Sequence, residues 1–341
     1  MLEVSHLLPA TISPLYPFLS TALLSFLVSV FFTFFVAKYG LRFALIDNPN
    51  VRSSHFKPTP RGGGVGIWIG FLLLGVFIIK DISFTLIAGT TGLIGFLEDI
   101  FTLSSKLRLL VQLIISAVIV MMVFTTSTFV ASAVLFVFWL IFIVGTTNFY
   151  NFMDGINGIA GLTGLVGFGL MAYFSYFVLN AHDVFLMSVV LAAGCLGFLP
   201  FNFPRARVFM GDVGSIFLGF VFASLVVKLS TSINVFLCLL MFLSTFYADA
   251  VITIYYRWRR GENLMQAHRS HLYQYLSNEL KLPHWQVSLM YAIVQLFFGI
   301  LALLAYQNGV MFQLVVLVVF SILFVISYTM VKKIKSKIAL R

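Results

Sequence analysis

Apolar residues fall along this chain in long unbroken runs separated by short polar breaks, with neither the strict alternation of a strand nor the one-sided stripe of a soluble helix. Eleven runs stand out, over roughly 15–37, 63–79, 82–97, 109–124, 129–147, 161–179, 184–199, 215–229, 233–254, 286–305 and 311–331. Most have about the length a helix needs to cross a bilayer core, close to 20 residues. The pattern predicts an all-α fold, a polytopic membrane helical bundle of about 11 transmembrane helices, with 1–341 as a single integral membrane domain. The third and seventh runs are short, which predicts a tilted or broken span at one or both.

The breaks between runs are of two kinds. After the even-numbered runs they are minimal, such as Lys80–Asp81 and Asn180–Asp183. After the odd-numbered runs they are longer and rich in Gly, Asn, Asp and Arg. Of the 21 Lys and Arg residues, 19 lie in the longer set or in the tail, leaving Lys80 and Lys228 on the other side. The excess of cations on cytoplasmic loops then predicts that the longer loops and the C-terminus face the cytoplasm, with the N-terminus outside. No Lys or Arg precedes Lys38, so the first run lacks the basic start of a signal peptide and reads as a retained anchor.

Composition agrees with the runs. Hydrophobic residues make up 61% of the chain and charged residues 9%, far below the quarter or so charged that a soluble domain carries. The net charge of +10 follows from topology and needs no nucleic-acid partner; tail residues Lys332, Lys333, Lys335 and Lys337 suit anionic lipid. Cys195 and Cys238 lie within apolar runs and offer neither a disulfide framework nor zinc spacing. The acids are less easily explained. Eight of eleven, Asp47, Glu98, Asp99, Asp154, Asp212, Asp249, Glu262 and Glu279, lie on or beside the longer loops. Asp249 falls inside the ninth run, where a carboxylate needs a wet or protein-lined setting. Carboxylates and cations on one face suit a place where a metal and phosphates meet.

Five segments carry candidate chemistry. In the first, Asp47 to Gly66, three successive glycines let backbone amides approach an anion, and Arg52, Lys57 and Arg61 supply charge. The second places Glu98 and Asp99 at the end of the third run, followed by Lys106 and Arg108. In the third, Asn148, Asn151, Asp154, Asn157 and Gly158 recur at steps of three or four, so a helical turn would set them on one face. Their hard oxygen ligands suit magnesium. In the fourth, Asp212 sits between Gly211 and Gly214 before a span, where a helix N-terminus can meet anionic oxygen. The fifth, HRSHLYQ, holds His268 and His271 three apart; phosphate or nucleotide contact suits them better than zinc. Each segment taken alone also reads as caps, turns or solvated surface. Together they share one feature: every one follows an odd-numbered run.

In these motifs the chain resembles the polyprenyl-phosphate N-acetylhexosamine-1-phosphate transferases (glycosyltransferase family 4). The resemblance runs from Asp47 to Gln274 and rests on PTPRGGG, NxxNxxDGxxG from Asn148 to Gly158, and FMGDVGS from Phe209 to Ser215. The HRSHLYQ form is most similar to the O-antigen-initiating branch, and the triple-histidine motif of the peptidoglycan branch is absent. The resemblance implies that Asn151 and Asp212 hold Mg2+ (or Mn2+), and that Asp99 and Asp154 line a catalytic centre with Glu98 beside them. It implies that Asn157 and Asn202 are donor-binding. Where the family commonly has two aspartates this chain has Glu98–Asp99. It further implies transfer of a sugar-1-phosphate, of N-acetylfucosamine or N-acetylquinovosamine type, from a UDP-sugar to undecaprenyl phosphate. UMP would leave, and the reaction would start O-antigen or lipopolysaccharide synthesis in the cell envelope. The setting implied is the bacterial inner membrane, with the site facing the cytoplasm. A homodimer fits such an enzyme.

Two other readings follow from the same residues. One keeps the enzyme and changes the donor to UDP-N-acetylglucosamine for another envelope glycan. The other is a membrane transporter or flippase, which expects charge at the bilayer midplane and broken repeats.

Overall fold

The computed structural model describes residues 15–43, 45–47, 57–101, 103–124, 129–264 and 269–339. Arg52 and His268 of the expected binding set lie outside them. Helices account for almost all of the described chain: α1 (Leu15–Tyr39), α2 (Val65–Leu74, continued by a π-helical turn Gly75–Ile79), α3 (Ile82–Phe101), α4 (Ser105–Val123), α5 (Phe129–Met153), α6 (Ile159–Phe177) and α7 (His182–Asn202). The second half adds α8 (Asp212–Leu229), α9 (Ile233–Met241), α10 (Ser244–Arg259), the single turn α11 (Leu272–Gln274), α12 (His284–Tyr306) and α13 (Val310–Ala339). Two short strands, β1 (Ile46–Asp47) and β2 (Thr59–Pro60), pair antiparallel and close the loop after α1.

Nine of these helices are long and apolar enough to cross a membrane, and α9 with α10 passes the same test together as a pair bent by 86°. With the shorter α2 this gives the eleven segments expected. The break, however, lies in neither the third nor the seventh. α3 and α7 run unbroken over 20 and 21 residues, whereas α10 turns 86° away from α9. An interrupted helix leaves backbone groups open and survives at membrane depth only where protein answers them. Gln295 of α12, fully buried, does so here: its Nε2 donates to the carbonyls of Phe242 at 2.7 Å and Thr163 at 3.0 Å.

α8 is the axis of the bundle. From Val213 to Leu229 every residue except Lys228 is buried, as expected of a helix apolar on all sides. α1 is more than an anchor. Thr21, Ser25, Ser29 and Thr33, four apart, are buried along one face. Ser25 and Ser29 donate to the carbonyls of Val190 and Gly194 in α7, and Thr33 to that of Gly63. Such hydroxyls let helices associate where lipid is as apolar as any side chain. At the end away from the longer loops, Lys228 bridges Asp81 at 2.7 Å and Asp183 at 2.6 Å. That bridge ties the C-terminal end of α8 to the starts of α3 and α7.

Candidate active site

The opposite end gathers the polar segments around the first turn of α8. α3 reaches it because Gly95 lets the backbone of α3 lie against that of Asp212 and Val213, where any Cβ would collide. Four residues on, Asp99 is 2% exposed and accepts the backbone N–H groups of Asp212 and Val213, each at 3.1 Å. The helix N-terminus expected to meet an external anion is thus capped by the protein's own carboxylate. The Arg61 guanidinium braces Asp99, with Nε 3.7 Å from Oδ1 and Nη2 donating to its carbonyl oxygen.

PTPRGGG and FMGDVGS meet here backbone to backbone. Phe209 N–H donates to Pro60 O, Gly63 N–H to Phe209 O and Gly64 N–H to Met210 O, all at 2.8 Å. A Cβ on Gly64 would strike the Cα of Gly214. The amides of Gly63 and Gly64, read from sequence as an anion cradle, are therefore consumed within the protein; the glycines serve close chain approach instead.

Asp212 is the open acid of the group, its side chain 28% exposed. Its Oδ1 accepts from Asn151 Nδ2 at 2.7 Å, and its Oδ2 lies 3.5 Å from Arg108 Nη1. Asn151 also donates to Ser215 Oγ at 2.9 Å. The same Arg108 nitrogen donates to Glu98 Oε1 at 2.7 Å, while Glu98 Oε2 is buried with no partner among the described residues. Asp154 stands just beyond the end of α5. Its carboxylate is pushed up to about 8, first by burial and then by the charges of Asp212 and Asp99. Four acids and two arginines thus share one small volume with an amide. The excess of carboxylates is the kind of field a cation relieves.

Asn151 and Asp212 fit the magnesium expected of them. No three His, Cys, Asp or Glu among the described residues form a metal-holding group. Magnesium, however, commonly takes one or two protein ligands and completes its octahedron with water and phosphate. With its nitrogen on Asp212, Asn151 has Oδ1 as the atom that would serve such a cation.

Several expected binding residues stand elsewhere. Lys106 is exposed and makes none of these contacts, because it lies two positions from Arg108 and so on the other side of α4. Arg108 makes the contacts to Glu98 and Asp212 instead. Lys57 is exposed beside β2. α5 ends at Met153, so the Asn–Asp series is not one helix face: Asn148 and Asn151 share α5, and 154–158 is a loop. Asn148 donates to Gln112 Oε1 and Val144 O, both at 2.8 Å, and joins α5 to α4. Asn202 is buried, accepting from Gly158 N at 2.6 Å and donating to Val208 O at 2.8 Å. It clamps two loops. Asn157 engages α12 through its backbone, which accepts from Ser288 Oγ at 2.7 Å; its side chain bonds none of the described residues.

His271 is also interior, 2% exposed and 3.4 Å from Asp249. Asp249, the deep acid, is fully buried in a protein-lined setting. It accepts the backbone N–H of Leu272 at 2.8 Å and of Tyr273 at 3.2 Å, and the Tyr291 hydroxyl at 2.7 Å. It caps α11 as Asp99 caps α8. A cavity of about 580 Å³ lies between α6 and α12, lined by Leu170, Leu296 and Ile300 among others, and reaches Val178 and Gln307. Those two residues mark the far end of the bundle, so it is no part of this site.

Fold and cluster together define a multi-pass, all-α membrane protein with its polar site at one end. Residues 82–230, which carry every member of the cluster except Arg61, match the model of the family described as glycosyl transferase family 4. Among curated proteins, the chain is 29% identical over 216 residues to a probable undecaprenyl-phosphate N-acetylglucosaminyl 1-phosphate transferase of Bacillus subtilis, covering 58% of this chain and 59% of that one. It is 28% identical over 193 residues to an undecaprenyl-phosphate alpha-N-acetylglucosaminyl 1-phosphate transferase of Thermotoga maritima, covering 57% and 60%. It is 28% identical over 216 residues to a phospho-N-acetylmuramoyl-pentapeptide-transferase of Staphylococcus saprophyticus, covering 53% and 66%. The aligned part thus spans about three-fifths of the first two relatives. The likeness to the polyprenyl-phosphate N-acetylhexosamine-1-phosphate transferases read from the motifs holds; the O-antigen branch is not singled out.

Proposed function

We propose that the protein transfers a sugar-1-phosphate from a UDP-sugar to a polyprenyl phosphate and releases UMP, at the cytoplasmic face of a bacterial membrane. The observation that carries this reading is the Asn151–Asp212–Arg108–Glu98 network built on the first turn of α8 and held there by Asp99. In the reaction an oxygen of the lipid phosphate attacks the sugar-bearing phosphorus, and the bond to UMP breaks. The first obstacle is repulsion among phosphates. Arg108 and Arg61 supply positive charge, and the open Asp212 with Asn151 would hold a divalent ion, which when bound would supply the charge that offsets the diphosphate and the departing UMP.

A phosphate monoester has a second pKa near 6, so the acceptor is largely dianionic at neutral pH and needs little help in losing a proton. Burial first, and then the charges of Asp212 and Asp99, hold the Asp154 carboxyl above the ordinary carboxylate range in the metal-free protein. Asp99, both of whose oxygens are taken by α8 amides, acts by holding Asp212 in place rather than by orienting the acceptor.

For the donor, the HRSHLYQ form favours an N-acetylfucosamine or N-acetylquinovosamine type. The second reading, UDP-N-acetylglucosamine, draws support from the printed names of the Bacillus and Thermotoga relatives. The test is UMP release by the purified protein from a panel of these UDP-sugars, with and without undecaprenyl phosphate and Mg2+. Release that needs both lipid and metal is expected. Lipid-independent release, or none from any sugar, rejects the reading.

A further inference from the structure

The HRSHLYQ segment meets the end of α5 through one side chain that this chemistry does not use. Tyr273 is 1% exposed, and its hydroxyl donates to the carbonyl oxygen of Phe152 at 3.1 Å. The same hydroxyl lies on Gly155, where a Cβ would collide with it. Asp154 sits between these two contact points in the chain. Burial holds the Tyr273 hydroxyl far above its ordinary pKa, and the charges of Asp249 and Asp154 add to this, so it remains a donor throughout the neutral range.

Tyr273 is itself held from behind. α10 carries Asp249, Thr253 and Arg257 four residues apart, all buried and hence on one face. Asp249 takes the N–H groups of Leu272 and Tyr273. Thr253 donates to Ser270 O at 3.4 Å, and Arg257 to Asn263 O at 2.6 Å. Three successive turns of one helix therefore grip the loop at three points.

We infer that Tyr273 is a positioning residue that fixes the 152–155 backbone, and with it the Asp154 carboxylate, using α10 as its support. This rests on the function proposed above. Asp154 makes no side-chain hydrogen bond to the described residues, so its place is set through its backbone. Its backbone is held by the end of α5 and by the turn bond from its own N–H to Asn151 O, and the Tyr273 hydroxyl adds the side-chain hydrogen bond at Phe152 O.

The test compares the full-length protein with Tyr273→Phe, which keeps the ring and removes only the donor. Amide hydrogen exchange is followed at 152–158 and in α8, together with turnover from pH 6 to 9. We expect exchange at 152–158 to quicken by about three- to tenfold, the worth of one hydrogen bond, with α8 unchanged. We also expect a similar fall in kcat, a displaced pH profile, and KM values unchanged for both substrates. Unaltered exchange at 152–158 overturns the inference. So does faster exchange with kcat and pH profile intact, since the tyrosine would then be a brace and nothing more. A wild-type protein silent toward every donor counts against the proposed function, while the exchange arm still decides whether Tyr273 pins the loop.

Discussion

The carboxylate of Asp99 caps the helix that begins at Asp212, 113 residues further along the chain. The two aspartates therefore differ in kind. Asp99 is enclosed and bound by two amides, while Asp212 is open and bound by Asn151 and Arg108.

Substituting each should separate stability from turnover. Asp212→Ala removes the open carboxylate and relieves repulsion, so the thermal midpoint in detergent should hold while UMP release falls by about 100-fold or more. Asp99→Asn turns a donor toward α8 amides that need acceptors, and should cost about 1–3 kcal/mol along with activity. Equal midpoints for the two variants would contradict the division.

Asp154 predicts a pH slope. Between the ordinary 3.8 and about 8 the folded protein keeps a proton that the unfolded chain has lost. The stability this group contributes is full below pH 3.8 and is lost as pH rises toward 8. The melting temperature should decline across that window in the wild type and decline less in Asp154→Asn. Parallel curves would remove the assignment.

Backbone contact between Gly64 and Gly214 makes a contrast between glycines. Gly64→Ala should destabilise by about 1–3 kcal/mol through overpacking. Gly169 has nothing within 4 Å of its absent Cβ, so Gly169→Ala, inside α6, should be neutral or gain up to about 1 kcal/mol of helix propensity. Thermal unfolding of the two variants decides.

Two buried glutamines should respond in opposite directions. Gln295→Leu strips the donor from the Phe242 carbonyl at the helix break and should cost about 1–3 kcal/mol. Gln313 is buried with neither amide atom partnered among the described residues, so Gln313→Leu should be neutral or stabilising. A midpoint that falls equally in both would show that the break does not depend on Gln295.

The sequence by itself determined the class of fold, the number of apolar segments and the end at which the polar loops gather. It could do so because the bilayer imposes a length on every span and sequential antiparallel spans return alternate loops to one side. The pairing of Asn151 with Asp212 was legible through the resemblance, and the four-residue spacing of Thr21, Ser25, Ser29 and Thr33 was there to be read as a buried face. What sequence could not decide was where each polar group spends its bonds. Only the tertiary structure assigned Asp99 to the cap of α8, Gly63 and Gly64 to the backbone of Phe209 and Met210, Asn202 to Gly158 and Val208, and Asp249 to the HRSHLYQ segment. Each is a contact between residues far apart in the chain. A buried acid or amide looks the same in a sequence whether it waits for a ligand or already holds the protein's own backbone.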